Sequence, residues 1–117
     1  MVKLKHHFLL DLVFYLWHNT AMEKDNILKF LRDNKEFLAQ RYGVISIGLF
    51  GSYARDEAKE DSDIDIAVEL KSQNKFMNFF HLKYYLQEKL KKSIDLGIES
   101  TLKPIAKEHI QRDIIYV

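Results

Sequence analysis

Three aspartates and one glycine–serine turn carry the chemistry this sequence offers. In DIDIAVEL (63–70) the apolar residues Ile64, Ile66, Val68 and Leu70 fall at every second position, the pattern of a half-buried strand. Asp63 and Asp65 then share the opposite face, ~6.5 Å apart at ~3.3 Å per residue. Like charges that close raise each other's pKa unless a cation sits between them. SIDLGIE (93–99) alternates in the same way and sets Asp95 opposite Ile94 and Leu96. If the two strands are neighbours, ~4.8 Å apart, Asp63, Asp65 and Asp95 converge on one patch. Three hard oxygen ligands on a rigid sheet suit Mg²⁺, with phosphates and water completing the octahedron. Taken alone, DSDID also reads as a charged turn running into an edge strand.

The spacing from Gly51-Ser52 changes that balance. VISIGLF (44–50) is a short β-rich apolar run, and the glycine and serine follow it directly. A glycine there lets a ligand approach the backbone closely. The serine hydroxyl and the amides opening the next short helix can hold phosphate oxygens. Ten residues, Tyr53 to Ser62, then separate the pair from Asp63-x-Asp65. Four fixed residues at fixed offsets arise by chance in roughly one chain in a thousand of this length.

The elements that must position these residues follow from the patterning. Residues 23–41 carry Ile27, Leu28, Leu31, Phe37 and Leu38 at helical spacing, and Tyr42-Gly43 ends the helix on a left-handed glycine cap. GSYARDEAKEDS holds a turn and a short helix. Phe79, Leu82, Leu86 and Leu90 make 75–92 helical, with the aromatics of this helix as a candidate contact surface. Pro104 suits the first turn of a last helix, 104–115, behind the cap candidates Ser100 and Thr101. Helices alternating with strands predict an α/β or α+β domain, a small sheet flanked by helices.

GLFGSYARDEAKEDSDIDIAVEL, with SIDLGI later, closely resembles the minimal nucleotidyltransferases of the DNA polymerase β superfamily. The resemblance covers about residues 22–117, through the closing KPIAKEHIQRDIIYV, and implies the polymerase-β-like fold. It implies that Gly51 and Ser52 contact a nucleoside triphosphate and that Asp63 and Asp65 bind two catalytic Mg²⁺ ions. It maps the third carboxylate, which completes the metal site and helps activate the acceptor hydroxyl, to Asp95. Arg55 matches the arginine of the family's GSxAR stretch and is a candidate triphosphate ligand; an ordinary surface arginine fits that position as well. Two positions depart from the pattern: Asp56, where many relatives have glycine, and Asp113, where glutamate is usual. Minimal domains of this kind are commonly paired with a helical HEPN-type toxin and act as antitoxins, transferring AMP from ATP to a tyrosine of that partner. A protein adenylyltransferase of the cytoplasm is therefore the expectation.

The 117 residues predict one domain, with 22–117 as its body and 1–21 as an apolar or amphipathic extension. HFLLDLVFYLW in that extension is about half the ~20 residues a membrane helix needs, and Met22 is an alternative start. With no cysteine, disulfides, thiolate zinc sites and cysteine nucleophiles are excluded. The formal charge of +1 gives no field that would favour nucleic acid or membrane. The five histidines show no ligand spacing, and Ser52 has no hydrolase-type triad around it. KYYLQEKLKK (83–92) reads as a charged outer face with tyrosines turned inward. Two alternatives stay open: a non-catalytic module that neutralises a partner by occlusion, and nucleotidyl transfer to a nucleic acid or small molecule.

Overall fold

The computed structural model describes residues 23–117, so the apolar extension, Trp17 and the alternative start at Met22 lie outside the described residues. The alternating runs form the strands β1 (Val44–Phe50), β2 (Ile64–Leu70) and β3 (Ile94–Ile98). A short fourth strand, β4 (Ile115–Tyr116), completes a mixed sheet of order β3-β2-β1-β4. β2 runs antiparallel to β1 and parallel to β3, while β4 pairs antiparallel with β1.

Alternation gives the sheet two unlike faces. Ile47 and Leu49, Ile64, Ile66 and Val68, and Ile94 and Leu96 point to one side, where they join a single buried cluster. That cluster is closed by α1 (Lys24–Asp33), α2 (Lys35–Tyr42) and α4 (Lys75–Leu90), through Ile27, Leu31, Leu38, Leu82 and Leu86. Each such fully buried Leu or Ile contributes ~1.5–3 kcal/mol, and most of the fold's stabilising burial lies on this side. The single helix expected over 23–41 is broken in two at Asn34. Its side-chain amide donates to the Phe30 carbonyl at 2.8 Å, a local alternative to the helical ladder. α2 then ends as expected, on Gly43 at φ 71°.

On the other face, three small residues stand in one row across the strands, Gly48 opposite Ala67 and Ala67 opposite Gly97. The missing side chains let α5 (Glu99–Asp113) lie close to the sheet. A Cβ on Gly97 would stand 2.4 Å from Leu102 Cδ1, and one on Gly48 2.7 Å from Ile114 Cγ1. α5 starts five residues before the expected position, so Pro104 lies inside it. Pro104 has no N–H to donate and crowds the preceding turn, and the backbone leaves helical geometry two residues on, at Ala106. The start of α5 is fixed by Glu99, which is buried, accepts a hydrogen bond from the Tyr116 hydroxyl and faces Lys103 Nζ at 3.7 Å. The carboxylate bond and burial push the Tyr116 hydroxyl up to about 12.

Gly97→Ala is expected to cost ~1–3 kcal/mol through this overpacking, lowering the melting temperature by roughly 5–15 °C. A melting curve unchanged from wild type would show that α5 does not depend on the small-residue row. Among the described residues no helix is long and apolar enough to cross a membrane.

Candidate active site

Two residues along from the small-residue row, on the same face, Phe50 is paired with Asp65, and Asp65 with Asp95. The parallel β2–β3 pairing therefore makes the two aspartates direct neighbours, as the sequence required if these strands were adjacent. Asp63 lies two residues before Asp65, at the entry to β2. Asp63 and Asp95 are exposed, and Asp65 is partly buried between them and the end of β1.

Gly51 backs directly onto Asp65. It opens the single helical turn α3 (Gly51–Ala54) at φ 76°, and a Cβ there would stand 2.0 Å from Asp65 Oδ2. Burial, then the Asp95 charge and a hydrogen bond to its carboxyl, push Asp65 up from an ordinary 3.8 to about 6. A carboxylate held at that cost marks a site arranged for charge rather than for stability.

The residues fit a divalent metal by their donor chemistry. Asp65 and Asp95 are hard oxygen donors on a rigid ladder, and their mutual repulsion is what a cation would relieve. Among the described residues no group of three or more carboxylate or imidazole side chains is arranged to hold a metal ion by itself. Mg²⁺ ordinarily takes one or two carboxylates plus substrate phosphates and water, and an open row suits that habit.

The turn after Gly51 is held from two sides. Asp56, at the position expected as a departure, has φ 58°, a conformation aspartate tolerates better than most side chains. Its carboxylate receives Lys24 Nζ of α1 at 2.9 Å. Arg55 is engaged by two carboxylates: Nη1 donates to Asp113 Oδ2 at 2.8 Å and Nε to Glu57 Oε2 at 3.1 Å. A groove of about 380 Å³, lined by Asp61, Asp63, Lys91, Lys92 and Ser93, adjoins the outer end of the row. Lys92, read in the sequence only as part of the charged face of KYYLQEKLKK, donates from Nζ to the Glu60 carbonyl at 2.8 Å, and both residues line this groove.

Of the remaining candidates, Tyr85 turns inward as expected and meets Phe37 and Tyr42 at centroid distances of 5.3 and 5.6 Å. Tyr84 instead points outward, and with Phe76, Met77 and Phe80 it leaves an apolar face of α4 exposed.

The description "Nucleotidyltransferase domain" matches residues 31–117. A Methanocaldococcus jannaschii protein provisionally named a protein adenylyltransferase is 46% identical over 88 residues, covering 74% of this chain and 90% of the relative. The protein adenylyltransferase MntA of Thermococcus cleftensis is 40% identical over 93 residues, covering 80% and 94%. A crystal structure of a toxin–antitoxin with AMP-PNP superposes with a TM-score of 0.57 at 26% identity, covering 80% of this chain and 70% of that one. The chain thus belongs to the nucleotidyltransferase domain family, in its minimal, MntA-like branch, and is a nucleotidyltransferase.

Proposed function

We propose that the protein is an antitoxin that transfers AMP from ATP to a tyrosine hydroxyl of a helical, HEPN-type partner toxin, using Mg²⁺. The observation that carries this reading is the row Phe50–Asp65–Asp95 with Gly51 seated against Asp65. It brings a backbone free of side chain and a pair of carboxylates to one spot.

Asp65 and Asp95, with Asp63 beside them at the entry to β2, would hold the metal ions together with substrate phosphates and water. Bound there, the ions supply Lewis-acid polarisation of the α-phosphate and neutralise charge on the entering and leaving oxygens. Gly51 admits the triphosphate to the backbone, and the Ser52 hydroxyl donates to a phosphate oxygen. The acceptor oxygen forms its bond to the α-phosphorus as the bond to the β-phosphate oxygen breaks, and pyrophosphate leaves. Asp95, exposed on the outer strand, would complete the metal site and help activate the acceptor hydroxyl, whose proton leaves as the new bond forms. Because both strands are fixed by the ladder, the carboxylates need no rearrangement as charge develops.

The partner is supported by two further observations. A relative of this fold has been solved as a toxin–antitoxin, and α4 carries the exposed apolar face of Phe76, Met77, Phe80 and Tyr84. A contiguous apolar patch of this sort commonly marks a protein interface.

The test is intact-mass spectrometry of the product of the neighbouring gene, as the proposed toxin, after incubation with the protein, ATP and Mg²⁺. Increments of adenylyl mass are expected, absent with Asp63→Ala/Asp65→Ala. A silenced toxin without any increment would replace this reading by occlusion.

A further inference from the structure

We propose that Arg55 acts as a strut rather than a phosphate ligand, tying the Gly51–Ser52 turn to the buried Asp113 at the end of α5. The inference deepens the transferase reading and rests on it for its kinetic consequence.

The geometry joins two segments far apart in the chain. Arg55 caps the single turn α3, its backbone N–H donating to the Gly51 carbonyl at 3.1 Å, and the Glu57 N–H donates to the Ser52 carbonyl at 2.8 Å. Whatever holds residue 55 therefore holds the turn that carries Ser52 and seats Gly51 against Asp65. Arg55 Nη1 reaches Asp113 Oδ2 at 2.8 Å, and the Asp113 side chain is only 7% exposed. Arg112 Nε adds a looser contact to the other Asp113 oxygen at 3.5 Å. These arginines hold the Asp113 carboxyl below the ordinary carboxylate range, the Arg55 hydrogen bond first. Asp113 immediately precedes Ile114 and β4, and Ile115 of β4 pairs with Leu49 of β1, two residues before Gly51. The ion pair thus closes a loop from the end of β1, through the turn, to the helix that covers the sheet.

With Nε on Glu57 and Nη1 on Asp113, each two-nitrogen edge of the guanidinium already has one nitrogen engaged by a carboxylate, so a bidentate grip on phosphate would compete with these ion pairs. The shorter aspartate at 113 is met by the length of the arginine. Asp113 is a carboxylate and is buried, so it has no direct attraction for a triphosphate. That separates the two roles of Arg55. A strut fails when either end is removed, whereas a phosphate ligand is released when Asp113 is neutralised.

The experiment compares Arg55→Gln, Asp113→Asn, the double variant and Asp113→Glu in the full chain. Amide hydrogen exchange of residues 52–57 without nucleotide is measured first, then transfer to the partner toxin. Both single variants are expected to speed exchange there by a similar factor, ten-fold or more. Each should lower kcat by roughly ten- to a hundred-fold with KM for ATP within about three-fold. The double variant should be no worse than either, and Asp113→Glu should keep most of the wild-type behaviour. Unchanged exchange in Asp113→Asn, or a lowered KM for ATP in that variant beside a raised one in Arg55→Gln, would overturn the strut. Faster exchange with no transfer by the wild type would instead refute the function and leave the strut standing. Asp113→Glu keeps the comparison decisive if Asp113→Asn fails to fold.

Discussion

Asp65→Asn is expected to abolish transfer and, at the same time, to make the metal-free protein more stable. The loss follows from removing the central carboxylate of the row. About 4 kcal/mol of transition-state stabilisation corresponds to roughly a thousand-fold in rate. The gain follows from the raised titration of Asp65, from 3.8 to about 6, caused by burial and then by Asp95. Between about pH 4 and 6 the folded protein retains a proton that the unfolded chain has released. Stability from this group is therefore fully present below pH 4 and is lost as pH rises through 6. A shift of this size, discounted for the solvent that reaches the side chain, leaves ~1–2 kcal/mol of destabilisation at neutral pH. Asparagine carries no such cost. Metal-free Asp65→Asn should melt roughly 5–10 °C above wild type at pH 7.5, and the difference should shrink on acidification to pH 4. Added Mg²⁺ should raise the wild-type melting temperature and leave the variant's unmoved. A variant that melts at or below wild type at pH 7.5 would show that Asp65 is not held under charge strain.

What the sequence revealed and what it concealed divide along a physical line. Period-two alternation is a local signal, so β2 and β3 were legible residue by residue, and with them the shared face of Asp63 and Asp65. The juxtaposition of Asp65 with Asp95 needed only one added condition, that the strands be neighbours, and the pairing supplies it. β4 was not legible because two residues carry no period; it exists through its pairing to β1 at Gly48 and Leu49. The start of α5 was misplaced because Pro104 also fits a first helical turn. Glu99 overrides that local preference through contacts with Tyr116 and Lys103 that no short window contains. Glycines inside two strand patterns, Gly48 and Gly97, were a usable hint of close backbone packing, yet their alignment through Ala67 appears only with the register. Arg55 and Asp113 stand 58 residues apart. The sequence marked both positions, but nothing in it joined them.

Gly51→Ala is expected to disable the site by a route separate from any loss of carboxylate. Two costs meet at this residue. At φ 76° a side chain pays ~1–2 kcal/mol for the left-handed conformation. The added Cβ would also stand 2.0 Å from Asp65 Oδ2 and 2.9 Å from its Cγ, so either the turn or the aspartate must move. Gly43→Ala separates the two, because Gly43 has a similar φ of 71° while its added Cβ meets Lys71 Cβ at an ordinary 3.5 Å. That control should lose ~1–2 kcal/mol of stability and retain transfer. Gly51→Ala should lose more stability and at least about a hundred-fold in transfer, the scale of a displaced reacting group. Combining it with Asp65→Ala removes the atoms it strikes, so the double variant should melt above Gly51→Ala alone. Strictly additive melting shifts would mean that the two residues do not press on each other. Equal transfer in the two glycine variants would mean that the approach of Gly51 to Asp65 has no part in catalysis.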